Sequence, residues 1–416
     1  MMTIEQAADA DMPRGLAVAV RALAALVAAT LVLAVLAYPW LHAYIVAWTL
    51  PWLGTVGAVG ALALAVALML LPRLRRRLVA AVMLPSRKGF LWWLCAGSFV
   101  LRVAVLRVIR ALPGEAAPQV DWVIFRKSAL LAPGHGLVMD AVHLVMGNTY
   151  AAEALFAGLL VVGVTLMVFD LARRAYGEEV GRLSAISIAL LPSWLMYGHL
   201  EYDILLGFFE VLVAFAFFRR PARRHTLGWL AMLGLLIGFT CLIKPIALIF
   251  PGVLLIIYLA LRLGLWASIK KTAVVTVFML AAICPWTVRN YLVLNRFVLL
   301  TTNVGTVLYT GNHPEATGLP SRDLLQITPE MTDEVEMNRI LIRDGLRFIR
   351  ENPGQFLRLM AYRQVWTWGS DCAFVSTVMH DKVCDAGMNV LRGVVQLPYV
   401  LAVGPVSYTH LTLPTN

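Results

Sequence analysis

The chain of 416 residues is far more apolar than a water-soluble protein of its size. Hydrophobic residues make up 60% of it and charged residues 14%, whereas a soluble globular domain carries roughly 25% charged residues. Its formal net charge of +11 is distributed as basic loops between apolar segments, which is typical of membrane topology and not of a nucleic-acid-binding surface. The composition excludes an ordinary soluble domain.

Apolar segments close to the ~20 residues that cross a bilayer recur along the chain. We therefore predict an all-α fold, a multi-pass transmembrane helical bundle with a small outward-facing segment. Nine predicted spans share this apolar character and lie at 16–38, 50–71, 89–112, 151–170, 181–198, 201–218, 226–243, 246–262 and 272–290. A tenth is predicted around 388–403. Several spans are short, which is typical of bent helices that line a cavity.

Lys and Arg are concentrated in every second loop between the predicted spans. The basic side chains of these loops are Arg73, Arg75, Arg76, Arg77, Arg87, Lys88, Arg173, Arg174, Arg182, Arg219, Arg220, Arg223, Arg224, Arg262, Lys270 and Lys271. Because cytoplasmic loops carry an excess of Lys and Arg, we expect these loops and the N-terminus to face the cytoplasm. The loop at 112–151 and the residues from 290 to about 382 then face outward. Residues 1–15 lack a basic region and a small-residue cleavage site, which favours a first span over a removable signal peptide.

The predicted topology divides the chain into five parts. They are an N-terminal two-span hairpin with a basic cytoplasmic loop (1–88), a transmembrane core (89–290), an outward segment (291–384), a further span (385–405) and a terminal peptide (406–416). The terminal peptide, VSYTHLTLPTN, reads as a translated sequencing adapter, so we expect the natural protein to continue beyond about Pro405.

The outward segment is too long for a bare loop and is predicted to contain helices. Thr328 followed by Pro329 has the features of a helix start. Apolar residues at helical spacing then predict one buried face, formed by Val335, Ile342, Leu346 and Ile349. Asn352 and Pro353 are predicted to end this helix, and a second amphipathic piece follows at 355–362.

The five cysteines divide by environment. Cys95, Cys241 and Cys284 lie in predicted spans, where a thiol is usually a small inert hydrophobe. Cys372 and Cys384 lie in the outward segment, where an oxidising compartment permits the disulfide that we predict between them. The sequence has no Cys or His spacing of the zinc type, so no metal site is predicted.

Residues 285–318, PWTVRNYLVLNRFVLLTTNVGTVLYTGNHPEATG, follow directly on a hydrophobic span. This stretch resembles the loop of bacterial membrane glycosyltransferases with the GT-C fold, in the branch of protein O-mannosyltransferases and the lipid A aminoarabinose transferase. The resemblance covers roughly residues 89–369. It implies an inverting enzyme of the bacterial plasma membrane that takes a monosaccharide from a polyprenyl phosphate (undecaprenyl phosphate in bacteria). The acceptor is a lipid, glycan or protein at the outer face; no cofactor is expected, and the need for a divalent metal stays open.

The resemblance implies that an acid early in the first outer loop is the catalytic base, and Asp121 matches that position. A carboxylate there would accept the proton of the acceptor hydroxyl while the phosphate leaves the anomeric carbon. The family's common pattern has two acids in a row, whereas this chain has Asp121 followed by Trp122. The alternative is that Asp121 is one solvated acid among several in this region, namely Glu115, Asp140 and Glu153.

Other polar residues match the family's substrate site. Glu201 or Asp203 resembles the acid that follows a Pro-Ser pair, and would hold the acceptor or a cationic partner; a solvated turn is the alternative. Lys244 before Pro245, and Arg289, would bind the leaving phosphate. Snorkelling at a helix end is the alternative for both cations. The predicted substrate-binding set also includes Asn290, His135 and Lys127.

Two motifs of turn composition and one pair of charged residues in the spans are further candidates beside the predicted substrate-binding residues. The motifs at 303–305 and 311–314 are turns by composition, and only the resemblance implies that they face the sugar. Glu210 lies two helical turns beyond Asp203, near the middle of the membrane, where an ionisable group is costly and needs a partner. Arg102 is its predicted counter-charge, in a structural ion pair or a functional one.

Two other functions are compatible with several spans and buried charges. A transporter or lipid flippase predicts inverted internal repeats with paired broken helices, and the sequence shows none. A polysaccharide polymerase or ligase shares the membrane setting and differs in using a long glycan donor. A transporter or flippase also leaves the large outward segment unexplained.

Overall fold

The computed structural model describes residues 82–111, 128–191, 201–316 and 333–369, together with Ala80. Every regular element in this part of the chain is a helix, which confirms the all-α prediction there. The α-helices are, in chain order, α1 (Arg87–Ala111), α2 (Gly134–Met146), α3 (Tyr150–Tyr176), α4 (Glu178–Ala189), α5 (Glu201–Phe218), α6 (Leu227–Ile243), α7 (Phe250–Ala260), α8 (Leu265–Leu294), α9 (Val304–Gly311), α10 (Glu334–Glu351) and α11 (Pro353–Gly369). Two short 3₁₀-helices lie at Ala222–Arg224 and Pro245–Ile249.

Two of the described helices are long enough and apolar enough to cross a membrane, at Ala151–Tyr176 and Leu265–Leu294. Helices α1, α5 and α6 coincide with predicted spans to within two residues at each end. Helix α8 is longer than predicted, with 30 residues and Pro285 inside it. The predicted spans at 16–38, 50–71 and 388–403 lie outside the described residues.

The structure adds detail to the sequence analysis at two places and differs from it at a third. The loop predicted at 112–151 contains helix α2, which no sequence pattern predicted. The span predicted at 246–262 begins as the 3₁₀-helix Pro245–Ile249 and becomes α-helical only at Phe250. The motif at 303–305 is not a turn, because it opens helix α9, whereas the motif at 311–314 does end that helix in a turn, as predicted.

The described residues belong to two compact units. Among the described residues, the first unit takes in 128–141, 213–316 and 333–364, and the second takes in 82–111, 142–191, 201–212 and 365–369. Because most of the predicted substrate-binding residues lie in the first unit, its packing decides the geometry of the candidate site.

Helices α6 and α8 form the centre of the first unit, and glycines on α6 set their distance. A Cβ on Gly234 would lie 2.5 Å from the carbonyl oxygen of Val275, and one on Gly238 would lie 2.6 Å from that of Met279. Two small residues four positions apart let helix backbones approach closely, as in packed membrane helices. Both contacts advance in the same direction along the two helices, so α6 and α8 run parallel.

The starts of α6 and α8 meet at the basic loops of the first unit. The imidazole of His225 is 5% exposed, and its Nδ1 lies 2.8 Å from the hydroxyl of Tyr258. Its Nε2 lies 3.1 Å from the carbonyl oxygens of Phe217 and Arg220, so Nε2 carries the proton and donates it there. Lys271 Nζ donates to the His225 carbonyl oxygen at 2.8 Å. Burial is the main cause that lowers the pKa of His225, and the neutral ring therefore joins two predicted cytoplasmic loops.

Two predicted cytoplasmic loops also meet within the second unit, around Arg182. Its guanidinium is buried and donates to the carbonyl oxygens of Val82 and Pro85 at 2.9 and 2.8 Å. The carboxylate of Glu178 pairs with Arg182 at 3.2 Å and with Arg87 at 2.9 Å. The loop before α1 and the start of α4 are thus held together by charge-assisted hydrogen bonds.

The outward segment contains a helix at the predicted place, with a different buried face. Asp333 caps α10 by accepting hydrogen bonds from the backbone of Val335 and Glu336, so this helix begins at Glu334. The helix start predicted at Thr328 lies outside the described residues. The bond from the Glu336 N–H is the main cause that lowers the pKa of Asp333. The helix ends at Glu351, before Asn352 and Pro353, as predicted.

The buried stripe of α10 consists of Leu341, Gly345 and Phe348. Leu346, which the apolar spacing placed on the buried face, is 54% exposed. Gly345 takes the buried position beside it: a Cβ there would lie 3.0 Å from the side chain of Leu308 of α9, a tight contact that glycine avoids. A hydrophobicity pattern does not count glycine as apolar and therefore displaces the predicted face by one residue.

Candidate active site

The motif at the end of α8 holds the following chain against the helix. The indole N–H of Trp286 donates to the carbonyl oxygen of Leu300 at 2.9 Å. The side chain of Asn290 is 0% exposed, and its Nδ2 donates to the carbonyl oxygens of Val298 and Leu300 at 3.1 Å each. The carboxamide of Asn290 therefore fixes the backbone that leads to α9, and its predicted contact with substrate stays a prediction.

Arg289 connects α8 to the segment that follows the first outer loop. Its Nη1 donates to the carbonyl oxygen of Ser128 at 3.0 Å and to Asn290 Oδ1 at 3.0 Å. The guanidinium carbon lies 4.6 Å from the centre of the Trp286 ring, which is a cation–π distance. These contacts fix the orientation of a planar, always charged group that suits phosphate binding.

Ser128 and Ala129 are also held by Glu334, at the start of α10. The hydroxyl of Ser128 donates to Glu334 Oε2, and the backbone N–H of Ala129 donates to Glu334 Oε1 at 2.8 Å. Ala129 in turn accepts a hydrogen bond from the backbone N–H of Thr302 at 3.0 Å. The segment that begins at Ser128 is therefore tied to α8, to α10 and to the chain before α9.

From Ser128 this segment runs to the end of α6, where Lys244 lies. A Cβ on Gly134 would lie 2.7 Å from the backbone carbon of Leu242, so the start of α2 rests directly on the last turn of α6. His135 follows Gly134, and Lys244 is the residue at which α6 ends and the next 3₁₀-helix begins. Residues 128–134 thus connect the Arg289 contact to the end of α6 that carries Lys244.

Four of the predicted site residues belong to one compact unit. His135, Lys244, Arg289 and Asn290 all belong to the first unit. Asp121 and Lys127 lie outside the described residues, although Lys127 directly precedes the anchored Ser128.

The predicted acids belong to the second unit. Glu201 is the first residue of α5, and Asp203 is half-buried on the same helix. Arg102 of α1 is completely buried, at 0% exposed, and Glu210 of α5 is half-buried. Their pairing with each other stays a prediction.

Sequence reasoning missed two groups near the motifs, Glu334 and Arg363. Arg363 of α11 donates to the carbonyl oxygen of Gly311 and to Asn312 Oδ1, the latter at 3.2 Å. Burial lowers the pKa of Arg363, and Asn312 is itself buried. The signal for Arg363 was weak because it lies just beyond the predicted amphipathic piece at 355–362. Glu334 gave no local signal, because its partner Ser128 lies 206 positions earlier in the chain.

The candidate site is rich in cations and hydrogen-bond donors. Within the described part of the chain, no group of three His, Cys, Asp or Glu side chains lies close enough to hold a metal ion. Cys95, Cys241 and Cys284 are free thiols on α1, α6 and α8, as predicted for cysteines in the spans. The predicted disulfide between Cys372 and Cys384 lies outside the described residues.

Part of the chain matches a known protein family. Residues 131–288 match the family of dolichyl-phosphate-mannose-protein mannosyltransferases. The match includes His135, Glu201, Asp203 and Lys244, and it ends directly before Arg289. No curated protein and no solved structure gives a significant match. The family match confirms the resemblance of this chain to membrane glycosyltransferases of the GT-C type.

Proposed function

We propose that this membrane glycosyltransferase moves a monosaccharide from a polyprenyl-phosphate donor to an acceptor on the outer face of the bacterial inner membrane. The acceptor is a lipid, glycan or protein with a free hydroxyl or amino group. The observation that carries the proposal is the family match over residues 131–288, since that family is named for transfer of mannose from dolichyl phosphate to protein.

Asp121 is proposed as the general base. Its carboxylate takes the proton of the acceptor group while that group forms a bond to the anomeric carbon, and the bond from this carbon to the phosphate oxygen breaks. A single displacement of this kind inverts the configuration at the anomeric carbon. A positioned base contributes about 10²–10⁴-fold to such a step.

Lys244 and Arg289 are proposed to stabilise the charge that develops on the leaving phosphate. Arg289 is already oriented by Ser128, Asn290 and Trp286, so it need not be reorganised as the charge develops. Lys244 offers a point charge at the end of α6, near His135. Lys127 completes the cationic set, and Glu201 or Asp203 is proposed to hold the acceptor.

The proposed orientation places this set on the outer side and the N-terminus in the cytoplasm. It is supported by the parallel course of α6 and α8 within the first unit. Both helices start at the basic loops around His225 and Lys271 and run toward Lys244 and Arg289. The 17 residues of α6 correspond to a rise of about 25 Å, close to the ~30 Å of a bilayer's hydrocarbon core.

The proposal is tested by incubating the purified protein in lipid nanodiscs with radiolabelled polyprenyl-phosphate sugars and a membrane extract as the acceptor source. We expect label to be transferred or released from one donor, and the same assay with added EDTA decides the metal requirement. Transfer of a long glycan in place of a monosaccharide would show a polymerase or ligase. Translocation of intact donor without transfer would show a flippase and contradict the proposal.

A further inference from the structure

We propose that Glu334 is a positioning residue for the proposed glycosyl transfer, because it anchors the residues that directly follow the loop with Asp121 and Lys127. The inference rests on the proposed function, and it concerns a residue outside the family match at 131–288. It assigns to the outward segment the task of holding the first outer loop in place.

Both carboxylate oxygens of Glu334 accept hydrogen bonds from the segment that begins at Ser128. Its Oε1 accepts the backbone N–H of Ala129 at 2.8 Å, and its Oε2 accepts the hydroxyl of Ser128. The same hydroxyl accepts the backbone N–H of Leu130 at 2.9 Å, so the carboxylate and the hydroxyl together arrange three consecutive residues. Both carboxylate oxygens are engaged by protein groups, and hydrogen bonds to an ionised carboxylate are stronger than neutral ones.

Ser128 is held by two charged side chains: Glu334 accepts a hydrogen bond from its hydroxyl, and Arg289 donates one to its backbone carbonyl oxygen. Arg289 donates to the Ser128 carbonyl oxygen at 3.0 Å and also interacts electrostatically with Glu334. The same residue, Ser128, therefore contacts the cation proposed to bind the phosphate and directly follows the stretch of chain that carries the proposed base. Displacing Ser128 would disturb both functions together.

Glu334 can serve as an anchor because its own backbone is fixed. It is the first residue of α10, directly after the capping residue Asp333. Farther along α10, Asn338 Oδ1 accepts the backbone N–H of Gly305 at 2.6 Å, which holds α10 against α9. A side chain on such a supported helix positions its partners more accurately than a side chain on a loop.

The contact itself is tested without any activity measurement, by limited trypsin digestion of the detergent-solubilised protein. Trypsin cleaves after Lys127, and the product begins at Ser128, which mass spectrometry identifies. Replacing Glu334 by Ala removes both hydrogen bonds, so cleavage at this bond should become roughly tenfold faster, the factor that corresponds to about 1.4 kcal/mol. Ser128→Ala keeps the Ala129 bond and should give a smaller increase.

Glu336→Ala is the matched control, because Glu336 lies on the same turn of α10 and pairs at 4.0 Å with the largely exposed Arg339. Its cleavage rate should equal that of the wild type. Glu334→Gln keeps an acceptor for the Ala129 N–H, and should restore most of the protection. Cleavage of Glu334→Ala at the wild-type rate would overturn the anchor.

The positioning role is tested by steady-state kinetics of the folded variants, with the sugar donor that the transfer assay identifies. We expect kcat per folded molecule to fall at least about tenfold in Glu334→Ala, to recover largely in Glu334→Gln, and to be unchanged in Glu336→Ala. KM for the donor should change less than kcat. Faster cleavage with unchanged kcat would make Glu334 a structural residue and overturn the inference. If the wild type transfers no sugar from any donor, the proposed function fails, and the positioning role of Glu334 fails with it. The digestion still shows whether Glu334 holds Ser128 and Ala129.

Discussion

Asn290 provides the most direct test of how the motif at the end of α8 supports the fold. Its side chain is completely buried, and its Nδ2 supplies a donor to two backbone carbonyl oxygens, those of Val298 and Leu300. Replacing Asn290 by Ala removes these bonds and leaves both carbonyl groups without this donor. Losing two such bonds in a buried site costs about 2–4 kcal/mol.

This loss of stability should lower the melting temperature of the purified protein in detergent, which is measured by circular dichroism at helical wavelengths. For a domain of about 150–250 residues, this loss corresponds to a decrease of roughly 4–16 °C. Asn290→Asp should be worse than Asn290→Ala, because its carboxylate would face the same two carbonyl oxygens. Both variants should also weaken the orientation of Arg289, which donates to Asn290 Oδ1.

Asn303→Ala is the matched control, because Asn303 precedes α9 without forming a capping bond through its side chain. We expect it to melt within about 2 °C of the wild type, as a substitution away from buried contacts does. Equal melting temperatures for Asn290→Ala, Asn303→Ala and the wild type would refute the interpretation that the motif holds the chain after α8.

Two further predictions concern the first unit. Gly238→Leu should strongly reduce the yield of folded protein, because even a Cβ at this position would lie 2.6 Å from Ala282 of α8. Gly228→Leu should be tolerated, because a Cβ on Gly228 would have no atom within 4 Å. Equal yields of the two variants by size-exclusion chromatography would contradict this prediction. The lowered pKa of His225 means that the unfolded chain binds its proton more readily than the folded protein does. The stabilising contribution of the neutral His225 ring is therefore fully present above about pH 6.5 and is lost as the pH falls below that value. The melting temperature of the wild type should drop between pH 7.5 and 5.5, and that of His225→Gln should drop less. Parallel pH profiles of the two proteins would contradict the buried neutral ring.

Long apolar segments made most of the helices predictable. Helices α1, α3, α5 and α6 follow from runs of apolar residues near the length of a span. Helix α2 did not follow, because its 13 residues begin with Gly134, His135 and Gly136 after a proline, a composition typical of a turn. Glycine is needed at the first of these positions because the backbone of α6 lies directly against it.

The candidate site was predictable only in part, since its residues were found by local motifs and its geometry depends on distant pairs. The motif around Arg289 was recognised, but its partner Ser128 lies 161 positions earlier in the chain. Glu334 lies 206 positions after Ser128, and no local pattern links the two. Gly345 shows the same limit within one helix, because its lack of a side chain brings α9 and α10 together.

The central claim is that Asp121 accepts the acceptor's proton during sugar transfer from a polyprenyl phosphate. The most direct measurement is the rate of transfer by Asp121→Asn, which keeps the shape of the side chain and removes its basicity. The account predicts a loss of about 10²–10⁴-fold with donor binding retained, while Asp140→Asn, at an exposed position on α2, transfers at the wild-type rate. Near wild-type transfer by Asp121→Asn would contradict the account and make Glu201 or Asp203 the better candidate for the base.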